Sequence, residues 1–103
     1  MPSPRTPKRR KSKLDLRLFV AGSGPRSLRS IDQVKRACEK HAAGRYNLSI
    51  VDIYTQPEEA TKSQIIAVPT LVRQFPHPVR MFIGEPGSRL DGLNGIPRLL
   101  EAY

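Results

Sequence analysis

The chain has 103 residues, 38% of them hydrophobic and 6% aromatic with no Trp, which suits one compact domain with a lean core and is too short for two independent cores. The formal charge of +9 sits mostly at the start: Arg5, Lys8, Arg9, Arg10, Lys11 and Lys13 place six of the 18 basic residues in the first thirteen positions, leaving 12 basic against 9 acidic beyond them. A charge excess that lies mostly in a tail argues against a nucleic-acid-binding domain, and a single Cys38 excludes an internal disulfide and a thiol-based zinc site.

Residues 1–13 also hold Pro2, Pro4 and Pro7 and no large apolar residue after Met1, so they are expected to form a disordered basic arm ahead of one domain over residues 14–103. No apolar run is long enough for a membrane-spanning helix, and no hydrophobic stretch follows the basic start as in a secretory signal. A cytoplasmic location is expected.

The first element is a strand over residues 14–21, where Leu14, Leu16, Leu18 and Val20 alternate with Asp15, Arg17, Phe19 and Ala21. It runs into Gly22-Ser23-Gly24-Pro25, whose glycines permit a tight turn and whose proline stops a strand. Leu28, Ile31, Val34, Ala37, Cys38, His41 and Ala42 then recur at helical spacing, which predicts an amphipathic helix ending near Gly44. Cys38 falls on its apolar stripe and reads as a packing residue, and His41 as a helix-end residue. Tyr46 to Tyr54 alternates and is rich in β-branched and aromatic types, a second strand that a helical crossover makes parallel to the first.

Thr55-Gln56-Pro57-Glu58 offers an N-cap Thr, an early proline and a Glu three residues on, predicting a short helix through Ile66. Ala67-Val68-Pro69-Thr70-Leu71-Val72 reads as a short strand whose Pro69 fits a turn or cis peptide. Pro76-His77-Pro78 is a rigid turn, and alternation of Val79, Met81 and Ile83 with Arg80 and Phe82 completes a hairpin over residues 68–84 ending at Gly84. Leu90, Leu93, Ile96, Leu99, Leu100 and Tyr103 keep helical spacing, but Gly92, Gly95 and Pro97 interrupt it. An interior Pro costs a helix about 3 kcal/mol and each Gly about 1, so this last element is weakly specified.

The order βαβ then αββα is the thioredoxin arrangement, an α/β fold with the Pro69 segment where that superfamily keeps its cis-Pro loop. A thioredoxin enzyme needs a low-pKa Cys at the start of its first helix, because the thiolate is the nucleophile. Ser23-Gly24-Pro25-Arg26-Ser27 stands there instead. With no Cys–His pair, no Ser-His-Asp constellation and no phosphate-cradling Gly-Lys-Ser/Thr loop, neither catalytic residue nor metal or cofactor site is expected.

Leu18-Phe19-Val20-Ala21-Gly22-Ser23-Gly24-Pro25-Arg26-Ser27, then Val51-Asp52-Ile53, Pro57, Ile66-Ala67-Val68-Pro69-Thr70-Leu71, Pro76-His77-Pro78-Val79-Arg80 and Ile83-Gly84 resemble the KaiB family in order and spacing, over roughly residues 14–100. His77 stands within what is a run of three prolines in that family, and Pro97 near a frequently acidic position. The resemblance implies a non-enzymatic protein that binds the hexameric ATPase KaiC within a circadian oscillator. It also implies homo-oligomers, tetramer or dimer, and two folds that differ in the C-terminal half. Gly22, Pro69, Pro76, Pro78, Gly84 and Pro97 are the turn or conformational positions on the chemistry of the residues themselves. A homologue serving its own KaiC-like ATPase in signalling or stress response is an equal reading, and the thioredoxin-like sensor domain of the kinase SasA is another. Lys62, Arg73 and Arg80 are the candidate partner-binding residues, through charge steering toward an acidic surface.

Overall fold

The structure is a computed structural model that describes residues 13–84 and Leu100. Along the chain it forms β1 (Leu14–Val20), α1 (Pro25–Ala42), β2 (Tyr46–Asp52), α2 (Pro57–Lys62), β3 (Thr70–Phe75) and β4 (Arg80–Ile83). Residues 1–12 of the basic arm, and the C-terminal element with Pro97 apart from Leu100, lie outside the described residues.

The strands build one sheet in the order β2-β1-β3-β4. β1 pairs parallel with β2, as a helical crossover requires, and antiparallel with β3; β4 returns antiparallel beside β3. The alternation in β1 sorts its side chains as expected: Leu14, Leu16, Leu18 and Val20 are buried together with Val34, Cys38 and Ala42 of α1, Leu71 of β3 and Leu100. The opposite face is buried too, where Phe19 meets Val51 and Val72, with Ala60 of α2 against them. A strand flanked on both sides and covered on both faces is the centre of the molecule, and its near-continuous apolar run reflects that.

α1 begins at Pro25, a residue suited to the first helical position because its missing N–H has no intrahelical partner to lose. Its buried stripe differs from the expected one at the start. Ser27, Ser30, Val34, Cys38 and Ala42 face the sheet, whereas Leu28 is 57% exposed. The first turn lies over the end of β1, where the Ser27 hydroxyl donates to Ala21 O at 2.9 Å, so small polar side chains occupy the contact and the leucine turns outward. Cys38 is buried as read, its thiol pushed up to about 11 by burial and, secondarily, by Glu39. His41 lies in the last turn and is exposed.

α2 is shorter than predicted and capped differently. Gln56, not Thr55, is the N-cap residue, because Asp52 O takes the N–H groups of Thr55 and Gln56 and the Thr55 hydroxyl as well, closing a turn directly after β2. The helix stops at Lys62 rather than Ile66. Gln64 adopts φ 58, Gln64 N–H donates to Thr61 O and Ile65 N–H donates to Ala60 O, the hydrogen-bond pair of a Schellman cap. β3 likewise starts at Thr70, after a cis Val68–Pro69 peptide, and the hairpin turn carries cis bonds before Pro76 and Pro78.

Candidate functional site

The C-terminal end of β1, the first turn of α1, the segment after β2 and the loop before β3 converge on one pocket of about 240 Å³. Chain geometry brings them there, since a parallel β1–β2 pair joined by α1 places the strand ends and the helix start at the same edge of the sheet. Gly22 makes the turn between β1 and α1 with φ 78, a left-handed conformation that glycine adopts without steric cost. Its amide donates to Asp52 Oδ1 at 2.8 Å, and the same oxygen accepts the Tyr54 amide at 2.9 Å. One carboxylate therefore ties the loop after β1 to the loop after β2 and sets the Tyr54 ring beside Gly22.

Within this frame Val20, Val68 and Pro69 supply apolar wall, Tyr54 an aromatic side, and Arg26, Ser27 and Ser30 the polar groups of α1. Ser27 and Ser30 are buried, at 8% and 3% exposure, while Tyr54 is exposed at 73%. Gly84 N–H reaches Pro69 O at 3.0 Å, which fixes the end of β4, with Gly84 at φ 125, against the loop that borders the pocket. Sequence reasoning gave a role to the glycines and prolines here; it placed Asp52 within a family-like segment without assigning it a contact, and did not single out Tyr54 or Ser30. The Asp-x-Tyr spacing after a strand was the available signal, since Asp side chains commonly accept from the amide two residues on.

The three cationic candidates are not brought together. Arg73 is 7% exposed and donates from Nη2 to Pro78 O at 3.0 Å. It stands on β3, which is flanked by β1 and β4, so it braces the hairpin turn and is not available to meet a partner's surface. Arg80 lies opposite it on the exposed edge strand β4. Lys62 is exposed on α2, 3.7 Å from Glu59 Oε2. Glu59 also accepts from Arg17 at 2.9 Å, each of those two side chains being 24% exposed, and the Arg17 hydrogen bond holds the Glu59 carboxyl below its ordinary range, with Lys62 adding to the effect. The Arg17 guanidinium also lies 5.5 Å from the centre of the Phe19 ring, so this network anchors α2 to the sheet.

Among the described residues no group of three or more His, Cys, Asp or Glu could hold a metal ion, and no helix is long and apolar enough to cross a membrane. The only cysteine of the sequence lies in the middle of α1, away from the helix start.

The sheet order and the helix start at the strand ends give a thioredoxin-like fold, with Ser23 and Arg26 flanking Gly24 and Pro25 at that helix start. Solved structures agree on the fold: the N-terminal domain of Synechococcus elongatus SasA superposes with a TM-score of 0.64 at 23% identity, covering 81% of this chain and 79% of that one. Chloroplastic thioredoxin z gives 0.63 at 17% identity, covering 87% and 77%. The family is set by sequence. The KaiB domain model matches residues 17–93, and the chain belongs to the KaiB family. The circadian clock oscillator protein KaiB of Prochlorococcus marinus is 37% identical over 86 residues, 84% of this chain and 80% of the relative. The circadian clock protein KaiB3 of Synechocystis is 32% identical over 93 residues, 87% and 91% respectively.

Proposed function

We propose that this protein is a non-enzymatic KaiB-like regulator that docks on a KaiC-like hexameric ATPase in a circadian clock or a signalling system derived from one. The observation that carries the reading is the combination of KaiB family membership with a thioredoxin-like frame whose helix start holds Ser23-Gly24-Pro25-Arg26 and no thiol. A thioredoxin-like frame without a nucleophile is a shape for binding, since the reaction of that class proceeds through the thiolate. No cofactor is required for such a role.

Docking through charge steering falls to Lys62 and Arg80, which are exposed, and not to Arg73, which is buried. Free protein is a homo-oligomer, tetramer or dimer, in this reading, and the C-terminal half exchanges between two packings on engaging the ATPase. The lean β3–β4 hairpin supports that step: Val79, Met81 and Ile83 are 51%, 43% and 50% exposed, so little burial holds β4 to the sheet. The SasA-type sensor domain is the second reading, and the likeness of fold to the SasA N-terminal domain favours it.

The test is the association rate with a KaiC-like ATPase from the same source, with ATP, at low and high salt. Lys62→Glu and Arg80→Glu each slow association several-fold at low salt, and the difference shrinks at high salt as charges are screened. Absence of binding by the unmodified protein at every nucleotide condition overturns the proposal.

A further inference from the structure

The positive charge of the N-terminal arm does not stop where the domain begins. Leu14 N–H donates to Arg45 O at 2.8 Å, so Lys13, and the arm before it, leave the domain beside Arg45. Arg45 is in turn tied to the end of α1, its amide donating to Ala42 O at 2.9 Å and its Nη2 to His41 O at 3.4 Å. Back along the helix from there, Lys40, Arg36 and Arg29 stand one and two turns apart on the side turned away from the sheet, and Lys35 is exposed beside them.

The acidic residues on this side are few and already engaged. Asp32 pairs with Arg36 at 3.0 Å, both side chains largely exposed, and a surface pair of this kind is weak enough to open for a stronger anion. Glu39 accepts the Tyr46 hydroxyl at 2.6 Å. Among the described residues Lys13, Arg29, Lys35 and Lys40 take part in no ion pair. Glu58 and Glu59 sit on α2, which covers the other face of the sheet, and Asp15 alternates with the leucines of β1 that face α1. The two sides of the domain therefore differ in charge: the α1 side is cationic, whereas Arg17 and Lys62 on the α2 side are balanced by the glutamates.

A partner for the α1 side carries dense, regularly spaced negative charge. From Arg29 to Lys40 the helix rises about 16 Å, the length of about five base-pair steps of duplex, and the five cations of residues 1–12 add to the charge beyond it. Neither residues 1–13 nor the outer side of α1 carries Phe, Tyr or Trp, so the bases of a single strand have nothing to stack on. Residues 2–13 hold no large apolar side chain to enter a lipid layer, and the row Arg29, Arg36, Lys40 has no apolar anchor of the kind a protein partner buries. An α-helix is about 10 to 12 Å across and fits the B-form major groove, about 12 Å wide, whereas the major groove of double-stranded RNA is deep and narrow.

We propose that the outer side of α1, continued by the basic arm, binds the phosphate backbone of duplex DNA without reading its sequence. The helix lies along the major groove, where Arg29, Lys35, Arg36 and Lys40 reach the phosphates at its rims. Arg45, Lys13 and the arm continue the contact along the backbone.

The experiment is fluorescence anisotropy of the full chain titrated onto a labelled duplex DNA of about 20 base pairs, repeated from about 0.05 to 0.2 M salt. The expected result is a dissociation constant of about 1 to 100 μM at about 0.15 M salt, unchanged when the sequence is scrambled and rising steeply with salt. Arg29→Gln/Lys40→Gln, at exposed positions where Gln keeps the helix propensity, weakens binding about tenfold at about 0.05 M salt. It also makes the slope of log K against log salt shallower by about 2. Lys62→Gln removes a charge from the other side and changes binding less than about twofold. Matching circular dichroism spectra keep the comparison between folded proteins. If Arg9→Gln/Arg10→Gln weakens binding while Arg29→Gln/Lys40→Gln does not, the arm acts alone and the proposal is overturned. Equal or tighter binding of the single strand, of duplex RNA, of vesicles containing phosphatidylserine or of polyglutamate overturns it as well.

Discussion

Installing thiols tests whether the frame of a thioredoxin is intact and only its nucleophile is missing. Ser23 and Arg26 have the Cys-x-x-Cys spacing, flanking the N-cap Gly24 and the first helical residue Pro25. In the double variant Ser23→Cys/Arg26→Cys the pair sits at the positive end of α1. A helix terminus stabilises an anion by about 0.3 to 2 kcal/mol, and one pKa unit corresponds to about 1.4 kcal/mol, so the reactive thiol falls from about 8.5 to roughly 7 to 8. At pH 7 a pKa of about 7.5 gives a thiolate fraction near 24%, against about 3% at 8.5, an eightfold gain. The assay is the pH–rate profile of iodoacetamide alkylation, with Ser49→Cys on the exposed part of β2 as the reference thiol and insulin disulfide reduction as the functional readout. Cys38 does not interfere, being buried with its thiol at about 11. A double variant whose thiols titrate with the reference and reduce no disulfide refutes the reasoning, as does equal activity in the unmodified protein.

Cys38 itself should resist a thiol reagent at pH 8 in the folded protein and react fully once unfolded. Because its pKa is raised on folding, the unfolded thiol ionises first as pH rises, so its contribution is intact below about 9 and is lost as pH climbs to about 11, which urea titrations at pH 8 and 10.5 detect. Leu18→Ala, at 1% exposure on a strand paired on both sides, should cost about 3 to 5 kcal/mol in urea unfolding because the walls cannot collapse into the cavity, whereas Leu28→Ala should stay within about 0.5. Gly22→Ala places a Cβ 3.3 Å from the Tyr54 ring at φ 78 and should destabilise by about 1 to 2 kcal/mol in the same assay, the backbone strain outweighing the contact because Tyr54 is exposed and can turn away.

Much of this architecture was legible because side-chain period and burial agree. β1 alternates and is buried on the alternating face, and the βαβ start forces a parallel pair whatever the details of the helix. The errors have local causes. Leu28 lies at helical spacing from Ile31 and Val34, yet at the first turn the contact is with Ala21 O, which selects Ser27. The end of α2 was missed because its left-handed cap residue is Gln64, and only a glycine there would have marked it. Arg73 was a candidate for charge steering because it is a cation on the hairpin; among the described residues β3 lies between β1 and β4, and the Arg73 guanidinium is turned to Pro78 O. The pocket was invisible since it joins four segments separated along the chain by loops, and a buried serine carries no sign in sequence of what it faces.

We propose that this KaiB-family chain works by docking on an ATPase ring. Size-exclusion chromatography with light scattering, on the protein alone and mixed with a KaiC-like ATPase from the same source with and without ATP, tests it most directly. A free oligomer that gives way to single copies carried on the ring is the expected result. A protein that elutes unchanged beside the ATPase under every nucleotide condition contradicts it.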